Sequence, residues 1–111
     1  MKEFETLTEN RDFRRLYHKG KSYVSPVVVT YVMKNRRKCV RIGITTSKKT
    51  GKAVKRNRSR RVIKEAFRLL SNEVSPGYDF VFVARAKTPF VKMGDVLAAM
   101  KSQLKGAGVL K

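Results

Sequence analysis

At 111 residues the chain is sized for one domain, 1–111, whose folding should bury about 65% of the surface its unfolded form exposes. Lysine and arginine number 27 against 8 aspartates and glutamates, giving a formal charge of +19, far beyond the range of about 2–8 that suits a small soluble domain. That excess favours a nucleic acid over an acidic small molecule, and with no long apolar run, signal-peptide core or lipidation motif an anionic membrane is the weaker partner.

Met1–Leu7 is expected to be an extended lead-in. Thr8 or Asn10 can cap a first helix that ends at Gly20, with Lys19 near its C-terminus. Phe13, Leu16 and Tyr17 recur at helical spacing. Leu16 is assigned to the core. Phe13 and Tyr17, four apart among Arg14, Arg15 and His18, form the basic and aromatic mixture on which unpaired bases stack, although core packing explains the same composition equally well. Lys21–Ser25 adds a short strand interrupted at Pro26. Val27–Met33, VVVTYVM, is the strongest strand in the chain, and both of its faces are apolar enough to be covered. A polar hairpin loop at Asn35–Lys38 leads into Lys38–Thr46, where Val40, Ile42 and Ile44 alternate with Cys39, Arg41, Gly43 and Thr45. Gly43 leaves a gap on its face that permits a groove or a close backbone approach. Cys39 excludes an internal disulfide and a cysteine-based zinc site because it is the sole cysteine, and it is expected to be a small buried hydrophobe.

Eight basic residues and no acidic one fall between Lys48 and Arg61. The segment continues as an amphipathic helix that stops near Ser71–Asn72. At about 100° per residue, Asn57, Arg60, Arg61, Lys64 and Arg68 share one side, and Val62, Ile63, Ala66, Phe67, Leu69 and Leu70 another. The apolar side holds the helix to a core, so the cations are displayed on a rigid element. Crowding them into the first turns opposes the helix dipole, an arrangement that a phosphate ligand would offset. After a turn at Ser75–Pro76–Gly77, Tyr78–Ala84 alternates as a strand. Thr88–Pro89 is then expected to cap and open a last helix with an inner stripe of Met93, Val96, Leu97, Met100 and Leu104, before a frayed tail at 106–111.

The order is α-β-β-β-α-β-α, an α+β two-layer sandwich of three helices and an about four-stranded sheet. Neither a nucleophile-base-orienter set, a phosphate-cradling glycine motif nor a metal-spaced acidic cluster is visible, so no catalytic residue and no metal ligand is assigned.

The segment KKTGKAVKRNRSRRVIKEAF resembles the signature of the bacterial ribonuclease P protein subunit through Gly51, Ala53, Val54, Arg56, Asn57, Arg58, Arg60, Arg61, Lys64 and Phe67. The likeness extends from Asp12–Phe13 through Gly20 and VRIGITTSKK to FVFVAR at Phe80–Arg85. It implies a left-handed β-α-β crossover around the basic helix (the ribosomal protein S5 domain 2-like arrangement), where the general rule for crossovers would give a right-handed one. It implies a cytoplasmic bacterial protein that binds a catalytic RNA, in a particle that cleaves precursor tRNA to leave a mature 5′ end with Mg²⁺ bound mainly by RNA. No obligatory protein partner is expected. Carried over residue by residue, catalytic-RNA binding falls to Lys52, Lys55, Arg56, Asn57, Arg58, Arg60, Arg61, Lys64 and Arg68. A separate cleft for the single-stranded 5′ leader falls to Phe13, Tyr17, Tyr31, Lys48 and Lys49. The rival reading is a structural protein of the ribosome that binds rRNA, which charge, size and the basic helix fit equally well. A self-sufficient nuclease lacks its acidic or acid-base cluster, and a helix-turn-helix DNA binder lacks the preceding short helix.

Overall fold

Alternating apolar residues build a mixed five-stranded sheet in the computed structural model, which describes residues 4–111. Its elements are β1 (Glu5–Thr6), α1 (Asn10–Lys19), β2 (Lys21–Val24), β3 (Val28–Lys34), β4 (Val40–Thr45), α2 (Ala53–Leu70), β5 (Tyr78–Ala84) and α3 (Met93–Gly106). The strand order is β1-β4-β5-β3-β2. β4 runs parallel to β5 with α2 as the crossover between them, and β3 is antiparallel to both β5 and β2. The helical order and the α+β class match the sequence reading.

Residues 1–3 of the lead-in lie outside the described residues, and the rest does more than expected. Glu5 and Thr6 pair in parallel with Arg41 and Ile42, and Leu7 N–H donates to the Ile42 carbonyl at 2.7 Å, which makes a fifth strand. Leu7 buries its side chain beside Leu16 and Val81, fixing the register of this short edge. Val27 falls out of β3 because Ser25 closes a turn, its Oγ accepting from Val28 N–H at 3.1 Å.

One sheet face carries Val28, Val32, Ile42, Phe80 and Phe82 against Ile63, Phe67, Met100 and Leu104 of α2 and α3. On the other face α1 lays Leu16 on Val81. Since successive side chains alternate faces, register defines three rows beneath α1: Arg41–Asp79–Met33, Gly43–Val81–Tyr31 and Thr45–Val83–Val29. The middle row lies under the helix, and the outer rows flank it.

Three local expectations are corrected by the structure. Neither Thr8 nor Asn10 caps α1; Glu9 is the N-cap, without a side-chain bond. Thr88 does not open α3, because its hydroxyl accepts from Arg85 N–H at 2.7 Å and donates to the Val27 carbonyl at 2.6 Å. That holds Thr88–Phe90 as a separate 3-10 turn, and α3 starts at Met93. The tail at 106–111 does not fray. Gly106 closes α3, Val109 is 1% exposed, Ser75 N–H donates to its carbonyl at 2.8 Å, and Leu110 bridges to Val74. Inside α3, buried Gln103 donates to the carbonyls of Tyr23 and Val28, both at 2.9 Å, and accepts from Thr30, tying the helix to the β2–β3 turn.

Candidate nucleic-acid interface

α2 presents its cations as the sequence predicts. Ile63, Ala66, Phe67 and Leu70 are buried, whereas Lys52, Lys55, Asn57, Arg58, Arg60, Arg61, Lys64 and Arg68 are exposed and Arg56 is half-buried. Leu69, assigned to the apolar side, stands 48% exposed at the margin of the stripe. Glu65 is the one acidic residue in the helix, and Arg68 takes it in a bidentate pair. The Arg68 guanidinium holds the Glu65 carboxyl below the usual range, and Glu65 in turn pushes Arg68 up. Arg68 is thereby the candidate whose charge is already answered. Lys52, Lys55, Arg56, Arg61 and Lys64 make no ion pair among the described residues.

The entry to α2 shares this bias. Lys52 is an N-cap with no side-chain bond, and the first turn holds no acid, leaving the positive end of the helix dipole uncompensated. Upstream, Lys48 and Lys49 are exposed on a 3-10 turn capped by Ser47, whose Oγ accepts from Lys49 N–H at 3.2 Å. Gly51 joins the two at φ 129°, where a Cβ would lie 2.8 Å from the Lys55 side chain, so the position requires glycine.

The aromatic candidates gather along one side of α1. Tyr17, 41% exposed, stands edge-on to Tyr31 with ring centroids 5.0 Å apart, and its hydroxyl donates to Thr45 Oγ1 at 3.3 Å. Phe13 lies one turn back over Gly43, where a Cβ would be 2.5 Å from the ring. The gap at Gly43 is thus a close approach filled by an aromatic ring. An open cavity of about 450 Å³ runs past Phe13, Arg14, Tyr17 and Thr45. Lys48 and Lys49 follow β4 just beyond Thr45.

The aromatic and basic surfaces are not fully separate, however. A second cavity, of about 440 Å³, is lined by Leu7, Phe13 and Ile44 on one side and by Asn57, Arg60, Arg61 and Lys64 on the other. It exists because β1 pairs with β4 only as far as Ile42, leaving the far end of that edge without a neighbouring strand.

Sequence reasoning missed what lies on the other flank of α1. Asp79, 1% exposed, receives Arg41 Nε at 2.8 Å, Arg41 Nη2 at 2.6 Å and Asn35 Nδ2 at 2.8 Å. Asp12 takes Arg15 at 2.5 Å and faces Arg41 at 3.8 Å. Hydrogen bonding to Asp79 pushes the Arg41 guanidinium up. This network floors a cavity of about 750 Å³ whose margin carries Arg11, Lys19, Lys34, Arg36 and Arg37. The available signal was the placement of two scarce acids at inward positions, Asp12 beside Leu16 and Asp79 in a strand. Among the described residues no group of three or more His, Cys, Asp or Glu is arranged to hold a metal ion, and no helix is long and apolar enough to cross a membrane.

Comparison with known proteins places the chain in a family. The family model described as Ribonuclease P matches residues 1–108. The ribonuclease P protein component of Clostridioides difficile (strain 630) is 43% identical over 100 residues, covering 89% of this chain and 88% of that protein. That of Clostridium kluyveri is 41% identical over 107 residues, covering 95% and 96%. The solved RNase P protein of Staphylococcus aureus superposes with a TM-score of 0.85 at 30% identity, over 98% of this chain and 100% of that one. For the RNase P protein from Thermotoga maritima the TM-score is 0.81 at 31% identity, over 92% and 96%.

Proposed function

The chain belongs to the ribonuclease P protein family, and from that premise we propose how its surface is divided between two RNAs. As the protein component of ribonuclease P it acts with the enzyme's RNA subunit to process the 5′ leader of precursor tRNA, with catalysis residing in the RNA. Lys52, Lys55, Arg56, Asn57, Arg58, Arg60, Arg61 and Lys64 bind the catalytic RNA, with Arg68 at the margin because Glu65 already answers its charge. Phe13, Tyr17, Tyr31, Lys48 and Lys49 receive the leader. Within the cleft, Tyr17 offers the accessible ring, Tyr31 backs it edge-on, and Phe13 forms the floor over Gly43.

The observation that carries the assignment of α2 is its unanswered charge: its one carboxylate is spent on Arg68, so the remaining cations form a rigid row without internal counterions. Phosphates fit that row and would release their own counterions on binding. The cavity shared by Phe13 and Arg60 lets the leader path and the catalytic RNA meet at the free edge of β4. In this reading Mg²⁺ is held mainly by the RNA, and no protein residue is assigned to it. When bound there it supplies activation of water and stabilisation of the scissile phosphate. The protein's own contribution is to relieve phosphate repulsion and to position the leader. The cytoplasm, where tRNA precursors are made in bacteria, is the proposed site of action.

Binding of the catalytic RNA across a salt series tests the assignment. Arg56→Ala should weaken binding and lower the slope of log K against log salt by about one, as for the loss of one phosphate contact. An unchanged affinity and slope, with the fold intact, would remove α2 from the interface.

A further inference from the structure

The most exposed aromatic ring among the described residues lies outside both surfaces just assigned. Phe90 is 68% exposed at the end of the Thr88–Phe90 turn. The backbone beneath it is held from three sides. Thr88 and Pro89 are buried, the Thr88 hydroxyl bridges Arg85 N–H and the Val27 carbonyl, and Phe90 N–H donates to the Lys87 carbonyl at 2.9 Å. From α2, Arg58 Nε donates to the Pro89 carbonyl at 2.8 Å, fastening the turn to the basic helix. Lys55 Nζ sits 4.6 Å from the ring centroid. Beside Lys55, Val54 is 80% exposed. Lys87 and Lys92 flank the turn in sequence, and none of Lys55, Arg58, Lys87 or Lys92 forms an ion pair among the described residues.

We propose that Phe90 is a stacking platform for an unpaired base of the catalytic RNA, extending the interface of α2 onto the turn before α3. A rigid ring held out to solvent loses apolar burial without recovering it inside the fold. A flat, apolar partner that carries negative charge recovers it: the base covers the ring while its flanking phosphates meet Lys55 and its neighbours. The cations around the ring select against an apolar or basic protein surface, which would have to desolvate them unpaired. Arg58 has a double role in this reading. Its Nε positions the platform, and the residue as a whole remains exposed. The proposal rests on the assignment of α2 to the catalytic RNA.

The protein contains no tryptophan, so Phe90→Trp introduces a single fluorescent reporter at the site. Titrating that variant with catalytic ribonuclease P RNA should quench the indole, saturating in step with binding measured independently. Phe90→Leu and Phe90→Ala should weaken RNA binding about 5- to 150-fold, the range for loss of one stacked base, and leave the salt slope unchanged, whereas Phe90→Tyr should retain affinity. Thermal melting of each variant checks the fold, and Phe90→Leu keeps the test valid if Phe90→Ala unfolds. Absence of quenching, or full affinity in Phe90→Leu while Arg56→Ala loses affinity, overturns the platform and leaves α2 in the interface. Full affinity in both Phe90→Leu and Arg56→Ala overturns the α2 reading and the platform with it. Quenching by precursor tRNA but not by catalytic RNA also overturns the assignment.

Discussion

Cys39 illustrates how a single contact alters a residue's chemistry. Expected as a buried hydrophobe, it is half-buried, and its thiol donates to Glu5 Oε2 at 3.0 Å. That hydrogen bond, followed by desolvation and the nearby Glu5 charge, pushes the thiol up from its ordinary value, against smaller opposing effects of Arg37 and Arg41. The thiolate is the reactive form, so alkylation by iodoacetamide should be slow at neutral pH and accelerate only above the usual thiol range. Glu5→Gln should move the pH midpoint of alkylation downward; an unmoved midpoint would dissociate Glu5 from the shift. Asp79 is the residue on which the buried network depends. Asp79→Ala would leave the Arg41 guanidinium with only its longer contact to Asp12, and urea unfolding should register a loss of about 3–5 kcal/mol, the usual cost of removing one partner of a buried pair. A loss below 1 kcal/mol would mean that water reaches Arg41. Family pattern singled out Phe13, Tyr17 and Tyr31, which the fold gathers beside α1, and Gly43 stood out in the sequence as a gap. The pairing of Asp79 with Arg41 was not visible: it depends on the parallel register of β4 and β5, which no local pattern encodes.

Elements with long apolar periodicity were legible, and elements held by backbone pairing were not. Tyr78–Ala84 is the strand its alternation predicts, and α2 ends within two residues of the expected stop. β1 is two residues long and carries no alternation to detect. The docked tail rests on Val109 and on backbone bonds from Ser75 and Lys111, which are non-local contacts in a glycine-containing segment. The α3 start was displaced because Thr88 spends its hydroxyl elsewhere. In the proposed interface, stability and RNA binding are opposed within α2. Its N-cap is Lys52, without a side-chain bond and next to a first turn lacking acids. Lys52→Asp should stabilise the free protein by about 0.5–2 kcal/mol through capping, as read by chemical denaturation. The same change should weaken binding of the catalytic RNA, because it places an anion where the account puts phosphate. Tighter or equal RNA binding by Lys52→Asp would show that this helix end faces away from RNA.

Among the described residues, three regions set by the sheet concentrate positive charge. α2 displays one row, the turn after β4 adds Lys48 and Lys49 next to the aromatic cleft, and the far side of α1 gathers Arg11, Lys19, Arg36 and Arg37 around a neutralised floor. Charge and the basic helix pointed to a nucleic acid, but only the fold shows that Phe13 and the basic side of α2 line one cavity at the edge of β4. In the proposed division of labour, the aromatic cleft recognises the leader while α2 serves the particle's own RNA. Equilibrium binding of precursor and mature tRNA to assembled particles, containing either wild-type or Tyr17→Ala protein, tests it most directly. With the fold and assembly of both proteins verified, Tyr17→Ala should weaken precursor binding by about 1–3 kcal/mol, the loss of one stacked base, and leave mature tRNA unchanged because it has no leader. Equal weakening for both RNAs, or none for the precursor, would refute that division.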